Sequence, residues 1–235
     1  MGSCGKKGKA KINFNWAFRD IELLQEIAMI VEQIAVGPMK NFSYVIGCDK
    51  TNEGAIIDTG WDIDDILFVA RKYGLKITTI IQTHAHYDHI QKLPEAIEKT
   101  KARVLIHEKE PYDIAKATKD FKKIKDNDEV ILGTLKLKFL HTPGHTQGSM
   151  CILVEKNLFS GDTLFVGGCG RVDLPGSNPE EMWHSLERLK KLPPDITVYP
   201  GHDYGSAAHS TIGHEQKHNR FLKSSTKQEF FGFRL

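Results

Sequence analysis

Residues 80–92 read IIQTHAHYDHIQK, and within six of these positions lie three imidazoles and one carboxylate. They are His84, His86, Asp88 and His89, and the apolar run KITTII comes immediately before them. Three histidines packed this closely repel one another when protonated, so the cluster has little value as a purely structural element. Imidazole and carboxylate groups are, however, good ligands for Zn, Fe and Mn. The motif therefore predicts a metal site where a buried strand ends.

Three further polar residues follow predicted strands in the same way. His145 comes after LKLKFLHTPG, Asp162 after NLFSG, and His202 after DITVYPG. In α/β folds the loops at strand ends carry functional side chains, because they can be aimed without disturbing the core. We therefore expect these three residues to converge with the histidine cluster.

The combined set is large enough to hold two metal ions. Three imidazoles suit one ion, two imidazoles and a carboxylate suit a second, and one further carboxylate remains to be shared. Three protein ligands per ion leave room for water or substrate, which is the arrangement of a catalytic rather than a structural zinc site. The first group is His84, His86 and His145, the second is Asp88, His89 and His202, and the spare carboxylate is Asp162.

A second histidine motif, HEQKH at residues 214–218, matches the HExxH pattern of zinc proteases. On a helix it would place both histidines on one face. Its flanking residues are polar, so nothing in the sequence would build a dry cleft around an ion. We interpret this segment as a solvated helix face, with a protease site as the alternative.

Composition limits the classes of protein to which the chain can belong. With 235 residues, 40% of them hydrophobic and 26% charged, it is ordinary for a soluble globular protein and fits one large domain. It contains no apolar stretch long enough to cross a bilayer and no charged-then-apolar secretory leader. Four dispersed cysteines without a CxxC motif favour a reducing compartment. These observations predict a cytoplasmic protein without membrane contact.

The net charge of +2 is unevenly distributed. Residues 1–19 carry five basic and no acidic side chains, which leaves −3 for the remainder. We interpret the basic segment as part of a flexible, solvated extension, with nucleic-acid contact or organelle targeting as alternatives. No later segment interleaves aromatic and basic residues as a nucleic-acid platform would, so no nucleic-acid partner is expected.

The pattern of secondary structure predicts an N-terminal extension at residues 1–28, one domain over residues 29–222 and a C-terminal tail at residues 223–235. Strands are expected at MIVEQIAV, NFSYVIG, GAIIDTG and LKITTII, and a final helix at STIGHEQKHNRFL. WDIDDILFVARKYG reads as a helix with Asp62 at its N-terminal end, and NPEEMWHSLERLKKLPP as another capped by Asn178. Mixed strands followed by helix–strand units occur twice. This order predicts an α/β fold, a four-layer sandwich of two sheets with helices outside.

Five motifs together resemble the metallo-β-lactamase superfamily over about residues 29–222. They are DTG at 58–60, THAHYDH at 83–89, HTPGHTQGS at 141–149, GDTLF at 161–165 and GHDY at 201–204. The resemblance implies the αββα sandwich and a binuclear centre formed by the two ligand groups above. It further implies that Asp162 bridges the two ions and that Asp58 supports the histidine loop.

Within the superfamily the sequence most resembles the glyoxalase II-like (hydroxyacylglutathione hydrolase-like) enzymes and the related persulfide dioxygenases. His86 stands where oxygen-reducing diiron relatives carry Glu, which favours a hydrolytic centre. True β-lactamases lack the acid that is present here as Asp162, so hydrolysis of β-lactam antibiotics is not expected. Arg171, in GCGR, and Tyr204 match a basic residue and a tyrosine that contact glutathione in glyoxalase II. Asp173 stands where that family has a tyrosine.

The resemblance implies a thioesterase acting on hydroxyacyl-glutathione-like thioesters. Two divalent ions, Zn in preference to Fe or Mn, are expected to ionise a bridging water that attacks the thioester carbonyl. Asp88 is expected to hold its ion and to accept a proton, and Arg171 to recognise an anionic group of a small thioester or thiol-derived substrate. The alternatives are a mononuclear iron persulfide dioxygenase that oxidises glutathione persulfide, and a non-enzymatic metal scaffold. Monomer and dimer both remain open.

Overall fold

The fold contains fourteen strands and seven α-helices within the part of the chain that the computed structural model describes, Met1 and residues 29–233. The predicted extension at residues 1–28 lies outside the described residues, apart from Met1. The strands are β1 (Met29–Val36), β2 (Asn41–Cys48), β3 (Glu53–Ile57), β4 (Lys76–Gln82), β5 (Arg103–His107), β6 (Phe121–Ile124), β7 (Glu129–Leu132), β8 (Leu135–His141), β9 (Met150–Val154), β10 (Asn157–Gly161), β11 (Leu164–Phe165), β12 (Gly168–Cys169), β13 (Thr197–Pro200) and β14 (Ser210–Thr211). The α-helices are α1 (Ile63–Lys72), α2 (Tyr87–Ile90), α3 (Leu93–Thr100), α4 (Pro179–Leu189), α5 (Ile212–His218), α6 (Arg220–Lys223) and α7 (Lys227–Gly232).

Two six-stranded sheets make up the centre of the fold. The first has the order β1-β2-β3-β4-β5-β6, antiparallel from β1 to β3 and parallel from β3 to β6. The second has the order β14-β13-β10-β9-β8-β7 and is antiparallel except between β10 and β13. Every residue of β2 is buried, because both faces of this sheet are covered.

Three apolar clusters separate four layers. Phe139 and Phe159 belong to the cluster between the sheets. Ile66 and Leu93 bring α1 and α3 against the outer face of the first sheet, and Leu186 brings α4 against the outer face of the second. The predicted αββα sandwich is thereby confirmed.

The predicted helix starts follow from side-chain capping. The Asp62 carboxylate accepts hydrogen bonds from the amides of Asp64 and Asp65, so α1 begins at residue 63. Asn178 caps α4 in the same way. Gly74, just past the end of α1, has a φ of +66°, a conformation that glycine adopts without strain.

The C-terminal region differs from the prediction in two respects. The single helix expected over residues 210–222 is divided into α5 and α6, because Asn219 has an extended ψ of 117° and its side chain caps α6 by accepting from the Phe221 amide. Residues 227–232, expected in a tail, form α7, and Phe230 is fully buried against the second sheet's helices. No helix among the described residues has the length and apolarity needed to span a membrane.

Candidate metal centre

The predicted ligands lie together at one edge of the sandwich, where strands from both sheets end. His84 follows β4 in the first sheet, whereas His145, Asp162 and His202 follow β8, β10 and β13 in the second. Backbone hydrogen bonds tie the sheets at this edge, from Phe42 N to Gly201 O (2.8 Å) and from Met150 N to Thr83 O (3.0 Å). Six of the seven ligands are buried and His86 is half-buried.

The side chains form the two groups expected from the sequence. Within each group the candidate ligand atoms all lie within 4.8 Å of one another; the groups are His84 with His86 and His145, and Asp88 with His89 and His202. Donor atoms this close, drawn from separate loops, form a preassembled site for a cation. The structure therefore brings together all six residues that the sequence assigned to the two ions.

Asp162 faces both groups at once. Its Oδ2 lies 3.4 Å from His145 Nε2 in the first group, and its Oδ1 lies 3.4 Å from His89 Nε2 in the second. Oδ2 also lies 3.3 Å from His202 Nε2. Gly201 permits this approach, since a Cβ there would collide with the carboxylate.

In four of the imidazoles, Nδ1 forms a hydrogen bond on the side of the ring that faces away from the other candidate ligands. A bond at this atom fixes the orientation of the ring and turns Nε2 towards the centre. The pairs are His84 with Thr83 Oγ1 (3.0 Å), His89 with Asp58 Oδ2 (2.9 Å), His145 with Arg171 O (2.8 Å) and His202 with Met39 O (2.9 Å).

Three of the atoms that point inwards lack a hydrogen-bond partner. Among the described residues, Nε2 of His84, Nε2 of His145 and Oδ1 of Asp162 are buried without a hydrogen bond. Nε2 of His89 and of His202 lie 3.2 Å apart. Buried polar atoms left unpaired are costly, and a cation between them would satisfy all of them. The donor set therefore fits divalent metal ions.

Asp58 supports the site rather than adding a ligand to it. Its Oδ1 accepts from the Thr83 amide (2.8 Å), and its Oδ2 accepts from Thr83 Oγ1 (2.7 Å) and bonds His89 Nδ1 (2.9 Å). Ligand atoms of Asp58, His84 and His89 also lie within 4.8 Å of one another, as in the two candidate metal-binding groups. The Asp58 oxygens, however, are engaged on the Nδ1 side of the His89 ring. It therefore fixes the loop that carries the histidines.

Burial and neighbouring charges shift the pKa values of the candidate ligands in different directions. Burial, with the neighbouring His145, lowers the pKa of His86 to about 4, so this imidazole is neutral and ready to bind metal at pH 7. Burial opposes ionisation of Asp162, but the neighbouring imidazoles, with His89 the largest contributor, together outweigh it and hold the pKa of the carboxyl well below its usual range. Burial likewise disfavours a charged His89, yet the Asp162 carboxylate and its neighbours raise that pKa to about 9.

Residues 36–202 match the family described as the metallo-beta-lactamase superfamily. The chain belongs to this superfamily. The resemblance stated from its five motifs is thereby confirmed. Members of the superfamily are metal-dependent enzymes, and the His and Asp groups of this chain are able to bind metal.

Several members of the superfamily are similar over most of the chain. The probable polyketide biosynthesis zinc-dependent hydrolase PksB of Bacillus subtilis is 30% identical over 195 residues, which are 83% of this chain and 87% of that protein. A hydroxyacylglutathione hydrolase of Polaromonas sp. is 39% identical in a 181-residue alignment that covers 75% of this chain and 67% of that one. The crystal structure of ETHE1 from Myxococcus xanthus superposes with a TM-score of 0.75 at 30% identity, covering 86% of this chain and 88% of that chain.

The candidate metal centre of this superfamily member opens into a cavity of about 400 Å³. Five of the predicted ligands reach it, and its remaining wall includes Met39, Phe165, Leu174 and Pro175. Arg171 and Tyr204, the predicted substrate contacts, both line it. The Tyr204 ring stacks on His202 with centroids 4.5 Å apart, and its hydroxyl donates to Met39 O. The Arg171 guanidinium forms two 2.9 Å hydrogen bonds with Asp173.

Glu110 is a buried carboxylate that the sequence does not single out. Its Oε1 accepts from the Ala85 amide (3.0 Å), and its Oε2 accepts from Thr146 Oγ1 (2.8 Å). Ala85 lies between His84 and His86, and Thr146 follows His145. Glu110 thus joins the two loops that carry the first ligand group. Its sole sequence signal is its place soon after β5, another strand end.

Asn41 is a second contributor without a sequence signal. Its Nδ2 donates to Asp88 Oδ2 (2.8 Å), and its Oδ1 accepts from Trp61 Nε1 (2.9 Å). The side chain is 1% exposed. It therefore fixes the Asp88 carboxylate against the second ligand group.

The HExxH segment does not form a protease site. The Glu215 carboxylate is fully buried and accepts from Gly167 N, Ser210 Oγ and Asn219 Nδ2. A general base has to face a substrate-accessible cleft, whereas this carboxylate fastens two loops. His214 and His218 are exposed, as expected for a solvated helix face.

Proposed function

We propose that this protein is a binuclear metal-dependent thioesterase that hydrolyses hydroxyacyl thioesters of glutathione or a similar thiol. The observation that carries the proposal is the position of Asp162, whose two oxygens face two complete three-ligand groups. A binuclear hydrolytic centre needs a ligand set for each ion, and neither group lacks a ligand. The similarity to hydroxyacylglutathione hydrolases supports the choice of substrate class. Nucleic acid and membranes are not proposed as partners.

Two Zn ions, or Fe or Mn in their place, would supply hydroxide at neutral pH and polarise the thioester carbonyl. His84, His86 and His145 would hold one ion, Asp88, His89 and His202 the other, and Asp162 both. Phe165, Leu174 and Pro175 give the cavity wall an apolar part, and apolar surroundings strengthen electrostatic stabilisation by the protein.

As the C–S bond breaks and the thiolate leaves, a base has to accept the proton of the hydroxyl group that was added to the carbonyl carbon. We assign this role to Asp88, which lines the cavity and is held in place by the Asn41 amide. Thiolate is a good leaving group, so no strong general acid is required at the sulfur. Arg171 and Tyr204 form the cavity wall on the side where the thiol part of the substrate would lie.

A mononuclear iron persulfide dioxygenase is the second candidate. It is favoured by the completeness of the first ligand group together with Asp162, which would suffice for one iron. The second group argues against it, because Asp88, His89 and His202 would then be a converged ligand set without an ion.

Metal analysis combined with matched assays tests the choice. We expect two equivalents of zinc per chain and release of glutathione from S-lactoylglutathione, followed with a thiol reagent. One iron per chain, with oxygen uptake and sulfite formation from glutathione persulfide, would overturn the thioesterase.

Two variants make the test sharper. His86→Ala removes a ligand of the first group, and His202→Ala removes a ligand of the second. A binuclear thioesterase should lose at least about 100-fold in kcat with either variant, because both ions act in the same step. A dioxygenase that uses the first group alone would lose activity with His86→Ala and retain it with His202→Ala.

A further inference from the structure

A second cavity of about 500 Å³ adjoins the metal cavity. Phe165, Arg171 and Tyr204 line both cavities, so the two lie side by side along these three residues. We call the second cavity the distal groove; its remaining walls are Gly167, Gly168, Cys169, Gly170, Arg220 and Phe221. A molecule bound at the metal ligands would have to be elongated to extend into it.

The distal groove is preformed, because buried polar groups fix its walls. Asn219 Nδ2 donates to the carbonyls of Gly168 (2.9 Å) and Phe165 (3.3 Å). Glu215 Oε2 accepts from Gly167 N and from Asn219 Nδ2, each at 2.8 Å. Both side chains are fully buried. The loop at residues 165–170 is therefore fastened to the junction of α5 and α6, and Arg220 is the next residue in the chain.

Two arginines line the groove, and they differ in their partners. Arg171 is engaged by both oxygens of Asp173, which offsets its charge. Arg220 is exposed, and its guanidinium lies over the rings of Phe221 (4.7 Å) and Phe233 (5.3 Å). No carboxylate of the described residues lies within salt-bridge distance of it. Stacking on aromatic faces leaves the edge of a guanidinium open for a planar or tetrahedral anion.

We propose that the distal groove binds the far end of the substrate's thiol carrier, and that Arg220 there recognises an anionic group. This inference rests on the proposed thioesterase function and narrows its substrate class. The thioester lies at the metal ligands, the carrier crosses the shared wall formed by Phe165, Arg171 and Tyr204, and a carboxylate or phosphate meets Arg220. Thioesters of short neutral thiols occupy the metal cavity alone.

Three thioesters with the same acyl group test the inference. S-lactoylglutathione carries carboxylates, S-lactoyl-coenzyme A carries phosphates, and S-lactoyl-N-acetylcysteamine is a neutral short thioester. For Arg220→Gln we expect the KM for a charged thioester, divided by the KM for the neutral one, to rise about fivefold, as for loss of one exposed charge-assisted contact. A larger rise for the glutathione or the coenzyme A thioester identifies carboxylate or phosphate as the partner. The rise should shrink at high ionic strength.

Matched controls separate a binding defect from damage to the fold. Lys223→Gln removes another exposed cation of α6, outside the groove, and should leave the KM ratio unchanged. Arg220→Lys keeps the charge and should restore part of the ratio. An unchanged ratio in Arg220→Gln, or the same rise in Lys223→Gln, would overturn the assignment.

Binding measurements keep this inference distinct from the proposed function. Calorimetric titration of the metal-loaded protein with glutathione or coenzyme A requires no turnover. Severalfold weaker binding in Arg220→Gln, seen as a higher Kd, supports the distal groove even if no thioester is hydrolysed. A lack of hydrolysis would instead contradict the thioesterase proposal. Equal Kd values for Arg220→Gln and the unmodified protein would count against the groove whatever the kinetic result.

Discussion

At the scale of single residues, the convergence of the seven candidate ligands was predictable because they follow strands in recognisable motifs. The residues that hold them were harder to find. Glu110 bonds the Ala85 amide 25 positions away, and Asn41 bonds Asp88 47 positions away. Such contacts leave no local periodicity, and Glu and Asn are common at exposed positions. The convergence of the candidate ligands could therefore be predicted from the sequence, whereas two of the long-range contacts that support them could not.

Replacing Glu110 with glutamine should weaken metal binding to the first ligand group. An amide has one acceptor oxygen, so it cannot accept from both the Ala85 amide and the Thr146 hydroxyl, and its NH₂ would face a donor. Loss of such a supporting contact typically costs roughly 10- to 100-fold in metal affinity. Competition with a chromophoric zinc chelator measures the change.

Glu108→Gln serves as the control for this substitution, since Glu108 is exposed and lies two residues away. It should bind zinc as the unmodified protein does. If Glu110→Gln retains full zinc affinity, the bridge between the two loops does not position the histidines.

At the scale of secondary-structure elements, helices with side-chain caps and strong amphipathic patterns were predictable, and short ones were not. Asp62 and Asn178 marked the starts of α1 and α4, because N-capping is a local interaction. The division between α5 and α6 depends on Asn219, whose side chain bonds a loop more than 50 residues earlier. The six residues of α7 are too few for a period, and the helix is held by tertiary packing.

Phe230→Ala should show that one side chain docks α7. The Phe230 ring is fully buried and contacts Phe221 at 5.8 Å between centroids, so its removal leaves a cavity. We expect the free energy of unfolding to fall by about 3 kcal/mol, measured by urea denaturation of the metal-loaded protein. Phe231→Ala is the matched control, since Phe231 is 46% exposed and should cost less than about 1 kcal/mol. Equal losses for the two variants would contradict the docking role of Phe230.

At the scale of the whole molecule, the order of strands and helices was sufficient to predict four layers, since each sheet has to bury both faces. The pairing order within the sheets was not predictable from it. β10 lies beside β13 in parallel, although 35 residues separate their ends in the chain, and this crossover places Asp162 next to His202. The site therefore depends on strand pairing within the second sheet as much as on its motifs.

Removing the metal should destabilise the whole sandwich, because the ligands come from loops of both sheets. A metal that binds the folded chain alone stabilises it by about 4 kcal/mol at a free concentration of about 1,000 times its Kd. For a domain of this size that corresponds to a fall of roughly 10 °C in Tm when a strong chelator is added. Circular dichroism melts with chelator, and after zinc is restored, measure the change. Zinc should reverse it and Mg²⁺ should not, since imidazole ligands suit zinc.

The origin of this shift can be assigned with two histidine variants. His214→Gln alters an exposed histidine of the HExxH segment and should leave the chelator-induced shift at its full size. His86→Ala should reduce it, since one ion loses a ligand. Because buried Nε2 and Oδ1 atoms are left unpaired without metal, the apoprotein should also exchange its amide hydrogens faster at the ends of β4 and β10. A Tm that does not respond to chelator, or a shift of equal size in both variants, would show that this cluster does not bind the stabilising metal.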